Sequence, residues 1–87
     1  MHEHAMIAGL IRRVTEIAAA EKAQKVTRIS VWLGALSHMS PGHFAEHFTE
    51  EAAGSIAAGA ELDCIASDDP GDPRALDVVV TAVEVET

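Results

Sequence analysis

Histidines are the residues of this sequence that point most directly to chemistry. Five occur among 87 residues, and they form two groups. His2 and His4 stand at the N-terminus, whereas His38, His43 and His47 lie close together further along the chain. Histidine is the commonest metal ligand in proteins, and few other side chains change charge near neutral pH. Both groups are therefore candidate metal sites.

The first group lies at the start of the chain. An initiator methionine is removed only before a small residue, so Met1 is expected to remain in front of His2. The Met1 amine, the His2 imidazole and the adjacent main-chain nitrogens then close a series of chelate rings, with Glu3 beside them. Such an array gives planar nitrogen coordination, which suits Ni²⁺ or Cu²⁺ better than tetrahedral Zn²⁺. The alternative is that an exposed histidine near a terminus binds nothing in particular.

The second group contains the pattern H-x-x-E-H, formed by His43, Glu46 and His47. Two histidines four residues apart share one face of a helix and can hold one metal ion, as they do in zinc hydrolases. A hydrolase also needs a third ligand and a walled cleft, which a chain of this size has little material to build. The sequence therefore predicts that the protein is not an enzyme. The pattern is either the polar face of an amphipathic helix or an auxiliary metal site.

Composition excludes several other functions. Six Lys and Arg residues against fourteen Asp and Glu residues give a net charge of −8, which argues against binding a nucleic-acid backbone. Cys64 is the single cysteine, so an intramolecular disulfide and a cysteine-only zinc site are both excluded. There is no run of about 18 apolar residues that would cross a membrane, and the first residues lack the basic start of a secretory signal. These features predict a cytoplasmic protein.

Hydrophobic periodicity predicts an α+β fold with the order helix, strand, helix, strand, strand. The expected helices cover residues 5–22 and 41–53, and the expected strands cover residues 26–33, 60–66 and 76–86. Ser40 before Pro41 is a typical helix start. In the first strand, Thr27 is expected to share the apolar face with Ile29, Val31 and Leu33.

Two helices with one apolar stripe each are expected to cover one face of this three-stranded sheet. The last two strands are expected to form a C-terminal hairpin. The opposite face of the sheet either stays exposed or is buried against a second copy of the chain. The thin core and this face suggest a homodimer, paired through the edge strand at residues 78–85.

Several segments in the same order resemble the HypA/HybF family of nickel-insertion accessory proteins for [NiFe] hydrogenase. The chain opens with Met1-His2-Glu3 directly before an amphipathic helix. The other matching segments are KVTRI at residues 25–29, LGALS at 33–37, GSIAAGAEL at 54–62 and AVEVE at 82–86. Each is weak alone, but the ordered set that begins with Met-His-Glu is fairly specific.

The resemblance implies an α+β nickel-binding domain in which His2 is the essential ligand. The His2 side chain and backbone nitrogen, with the backbone of Glu3, would hold planar Ni²⁺. The Met1 amine, or a nitrogen near Ser40 in the loop after the first strand, would complete the ligand set. The implied role is delivery of nickel to the hydrogenase large subunit, or to urease in some members, together with a HypB-type GTPase.

The sequence also departs from the family pattern. Family members carry two C-x-x-C pairs, which form a zinc-binding domain between the last two strands. Here a short turn at residues 67–75 replaces that domain, so we expect residues 1–87 to form a nickel-binding domain alone, with no structural zinc. His4 stands where the family has an apolar residue and could compete as a ligand. The alternative function is a HypA-like interaction or scaffold domain that has lost metal delivery.

Overall fold

The predicted order of elements is confirmed. The computed structural model describes the backbone of residues 2–87 and the side chains of residues 4–87. The elements are α1 (His2–Ala20), β1 (Lys25–Leu33), α2 (Pro41–Ala52), β2 (Glu61–Ala66) and β3 (Val78–Glu86).

The strands form one mixed sheet in the order β2-β1-β3. β1 runs parallel to β2 and antiparallel to β3. The predicted C-terminal hairpin is therefore wrong, because β1 lies between the last two strands. β1 has four buried positions, which suits the centre of the sheet. β2 carries the exposed charged residues Glu61 and Asp63, which suit an edge strand.

Both helices cover the same face of the sheet, as predicted. α1 contributes Ile7, Val14 and Ala18 to the core, and α2 contributes Phe44, Phe48 and Ala52. These side chains meet the buried residues of β1, and the helices also contact each other. Each helix thus buries one apolar stripe and keeps most of its polar residues on the surface.

The first strand differs from the prediction in one detail. Val26 is fully buried and Thr27 only half-buried, so Thr27 does not join the core face. The pairing of β1 with β3 shifts register between Val26 and Arg28. Such a bulge adds a residue to one strand and reverses the alternation of its side chains. It is a property of strand pairing that the period of two cannot reveal.

The opposite face of the sheet carries a cross-strand ion pair. Arg28 Nη2 donates to Glu61 Oε2 over 2.8 Å, linking β1 to β2. This hydrogen bond, together with the charges of Glu61 and Glu84, raises the pKa of Arg28. Further along the same face Ile65 is 63% exposed, opposite half-buried Trp32. The homodimer, expected to pair through the edge strand at residues 78–85, stays a prediction.

Gly34, at the end of β1, is held against the segment that leads into β3. Its amide donates to the Asp77 carbonyl over 2.8 Å, and the Leu36 amide donates to the Ala75 carbonyl over 2.7 Å. A Cβ placed on Gly34 would overlap the Ala75 carbonyl group. The close approach of two backbones therefore requires glycine here.

We expect Gly34→Ala to lower the free energy of unfolding by about 1–3 kcal/mol, because backbone atoms must shift to admit the methyl group. Chemical denaturation followed by circular dichroism measures the change. Gly9→Ala is the control, since Gly9 lies in α1 and a Cβ there meets nothing within 4 Å. That substitution should raise stability by about 0.5–1 kcal/mol. Equal effects of the two changes would refute the proposed backbone contact.

Candidate metal centre

The predicted N-terminal ligands stand at the start of α1. Met1 lies outside the described residues, and so do the side chains of His2 and Glu3. The backbone of α1 begins at His2. The first four amide groups of a helix have no acceptor within it. The main-chain nitrogens of His2 and Glu3, which are the expected nickel ligands, therefore donate no hydrogen bond within the helix.

His4 joins the first turn of α1 to the last turn of α2. Its Nδ1 atom lies 2.7 Å from Glu51 Oε1. The His4 side chain is 73% exposed, so the pair contributes at most about 1 kcal/mol to stability. The contact shows that the N-terminal end of α1 lies beside the C-terminal end of α2.

His43 and His47 share one face of α2, as their spacing predicts. Their ring centroids are 4.4 Å apart, with the ring planes tilted by 53°. Glu51 lies one turn beyond His47 on the same face. Glu46 is exposed, and His47 is half-buried.

The hydrolase interpretation of H-x-x-E-H has no further support in the structure. Among residues 4–87, no three His, Cys, Asp or Glu side chains lie together in a way that could hold a metal ion. A groove of about 660 Å³ is lined by α1, the loop after β1, the segment before β3 and the start of β3 rather than by the H-x-x-E-H residues.

The loop after β1 fixes the start of α2 and lies beside α1. The Ser40 hydroxyl accepts from the His43 amide over 3.2 Å, and the Ser40 carbonyl accepts from the Phe44 amide over 2.9 Å, confirming the predicted cap. Ser37 and Met39 line the 660 Å³ groove together with Met6 of α1. The loop is therefore close to the second turn of α1.

His38 is the remaining candidate ligand among the described residues, and Cys64 is the single cysteine. His38 is exposed and has a φ of 63°, in the left-handed region. Cys64 is half-buried in β2 and packs against the core. Burial, followed by the charge of Asp63, raises the pKa of the Cys64 thiol and disfavours the thiolate that binds metals.

Comparisons with known proteins agree with the fold. Residues 1–69 match a family model described as "Hydrogenase/urease nickel incorporation, metallochaperone, hypA". The match extends through β2 into the segment before β3. Hydrogenase maturation factor HypA 2 of Bradyrhizobium diazoefficiens is 38% identical over 65 residues, which cover 75% of this chain and 58% of that protein. The chain spans little more than half the length of the curated relatives it matches.

Two solved structures share the architecture. The solution structure of the nickel metallochaperone HypA from Helicobacter pylori superposes with a TM-score of 0.79 at 18% identity, covering 97% of each chain. A second solution structure of a HypA protein gives a TM-score of 0.66 at 24% identity, covering 100% of this chain and 93% of the other. Structural similarity at these sequence identities establishes the fold. Family membership is established by the match over residues 1–69. The chain belongs to the HypA family.

Proposed function

We propose that this protein binds Ni²⁺ at its N-terminus and delivers it during maturation of [NiFe] hydrogenase or urease. The observation that carries the proposal is that residues 1–69 match the nickel-incorporation family. The matched segment begins with Met1-His2-Glu3. Nickel is cargo in this proposal, and the protein performs no catalytic step on it.

The donor chemistry at the N-terminus supports this role. Nitrogen donors from the Met1 amine, the His2 imidazole and the first amides suit square-planar Ni²⁺. Because α1 begins at His2, using these amides breaks no hydrogen bond within the helix. Amide nitrogens bind a metal only after losing their protons. The proposed complex therefore weakens as pH falls and releases nickel under acidic conditions.

The position of His4 supports separate roles for the two N-terminal histidines. His4 faces α2 through its contact with Glu51. We therefore assign His4 to docking of the first turn rather than to the planar ligand set. Ser37 and Met39, from the loop that holds Ser40, line a groove together with Met6 in the second turn of α1. A nitrogen near Ser40 stays a proposed member of the ligand set.

The absence of structural zinc remains part of the proposal. Residues 67–77 connect β2 to β3 without a cysteine, and Cys64 is the single cysteine of the chain. In this segment Asp69 and Asp72 accept from the Gly71 and Arg74 amides, over 2.9 and 2.7 Å. The carboxylates thus stabilise a compact turn at the position where the resemblance implies a zinc domain.

The partners and location are inferred from the family resemblance. A HypB-type GTPase and the hydrogenase large subunit are the proposed partners, and the cytoplasm is the proposed location. No helix within residues 2–87 combines the length and apolar character needed to span a membrane.

We expect His2→Gln to weaken Ni²⁺ binding by more than about 100-fold. Loss of a group that only orients a ligand already costs about 10–100-fold in affinity, so loss of a ligand should cost more. The measurement is a Ni²⁺ titration followed by d–d absorption, on protein that starts at its native Met1 without a tag. The wild type should form a one-to-one yellow diamagnetic complex.

His4→Gln is the matched control, and it should keep the yellow complex with less than a tenfold change in affinity. Retention of the complex in His2→Gln would contradict the N-terminal site. If His2→Gln also binds hydrogenase maturation partners as well as the wild type does, the interaction-domain alternative is favoured.

Cys64 has no metal role in this proposal. Because its pKa is raised, alkylation by iodoacetamide should reach half of its maximal rate at a higher pH in the folded protein than in urea. Cys64→Ala should leave the Ni²⁺ affinity unchanged within about twofold. A loss of nickel binding in Cys64→Ala would mean that the thiol is a ligand.

A further inference from the structure

The face of α2 that carries His43 and His47 has chemistry that the N-terminal site does not use. The two imidazole rings lie 4.4 Å apart between centroids, closer than the roughly 5–6 Å that separates Cβ atoms four residues apart in a helix. The two rings therefore lie close enough together for one ion to contact both. His43 is exposed and His47 half-buried, so solvent reaches this face of the helix.

The backbone beneath this pair is fixed on both sides. Ser40 caps the first turn of α2 through the His43 amide itself. Phe44 and Phe48 each follow one of the histidines, are 0% and 1% exposed, and lie 5.6 Å apart between ring centroids. With both phenylalanines packed in the core, α2 cannot rotate about its axis. The two histidines are consequently held on the same outer face.

We propose that His43 and His47 form a second metal site, a two-histidine chelate for a divalent transition-metal ion such as Ni²⁺. Imidazole nitrogens suit this class of ion, and an i, i+4 pair on a helix presents two of them to one ion. Water fills the remaining coordination positions. The site is open and holds the metal more weakly than the N-terminal nitrogens do.

The pair lies close to the N-terminal end of α1. Glu51, which contacts His4, is one helical turn beyond His47, or about 5–6 Å along the axis. A metal ion held on α2 is therefore within about two helical turns of the first turn of α1. The second site raises the local metal concentration beside the proposed delivery site, but its existence does not depend on that site.

The test uses Ni²⁺ in a His2→Gln background, in which the N-terminal planar site is removed. Isothermal titration calorimetry measures affinity, and paramagnetic broadening of amide NMR signals locates the ion. We expect broadening centred on residues 43–47. Replacing either His43 or His47 with Gln should weaken binding at least tenfold. Gln is a better helix former than His, so both variants should fold.

Two control variants distinguish the histidine pair from neighbouring side chains that could bind the ion instead. His38→Asn removes an exposed histidine of the same group, and Asn tolerates the positive φ found there. Glu46→Gln removes the carboxylate that a hydrolytic H-x-x-E-H site would require. Both should leave the affinity unchanged within about twofold.

The proposal is overturned if binding survives the loss of His43 and His47, or if His38→Asn weakens it as much as they do. Failure here differs from failure of the proposed function. A wild-type protein that forms the yellow complex but shows no second binding event has the N-terminal site alone. A protein that shows only the weak event, dependent on His43 and His47, has the site on α2 alone.

Discussion

The structure depends on the burial of one face of β1 beneath two helices. Both helices pack against four buried side chains of β1, each at most 1% exposed: Val26, Ile29, Val31 and Leu33. Because β1 pairs with a strand on each side, it is fixed in position by hydrogen bonds as well as by packing. The positions of α1 and α2 follow from their packing on this strand, and with them the positions of His4, His43 and His47.

Each helix uses one side to fold and another to present polar groups. In α2 the phenylalanines face the sheet, which leaves the histidine pair and Glu51 on other faces of the same helix. In α1 the core residues begin at Ile7, one turn after the helix starts. The first turn therefore extends beyond the core, and the contact between His4 and Glu51 is its described attachment to α2. A metal site at this end can form without disturbing the core.

The sequence was sufficient to predict the features that arise within a single element. The order of elements, the Ser40 cap, the buried phenylalanines and the shared face of His43 and His47 all follow from helical or strand periodicity. The position of β1 between β2 and β3 does not, because it depends on which strands pair across long separations. The same holds for the bulge after Val26 and for the contact of Gly34 with Ala75. The pairing of His4 with Glu51 joins residues far apart in sequence, and no local pattern predicts it.

The central claim is that the first residues of the chain hold nickel in a planar field of nitrogen donors. X-ray absorption at the nickel edge, with one equivalent of Ni²⁺ on the untagged protein, tests this most directly. The account predicts a four-coordinate planar spectrum, with nitrogen donors in the first shell and scattering from a single imidazole. A six-coordinate spectrum with scattering from two imidazoles would contradict it and would place the first nickel ion on α2.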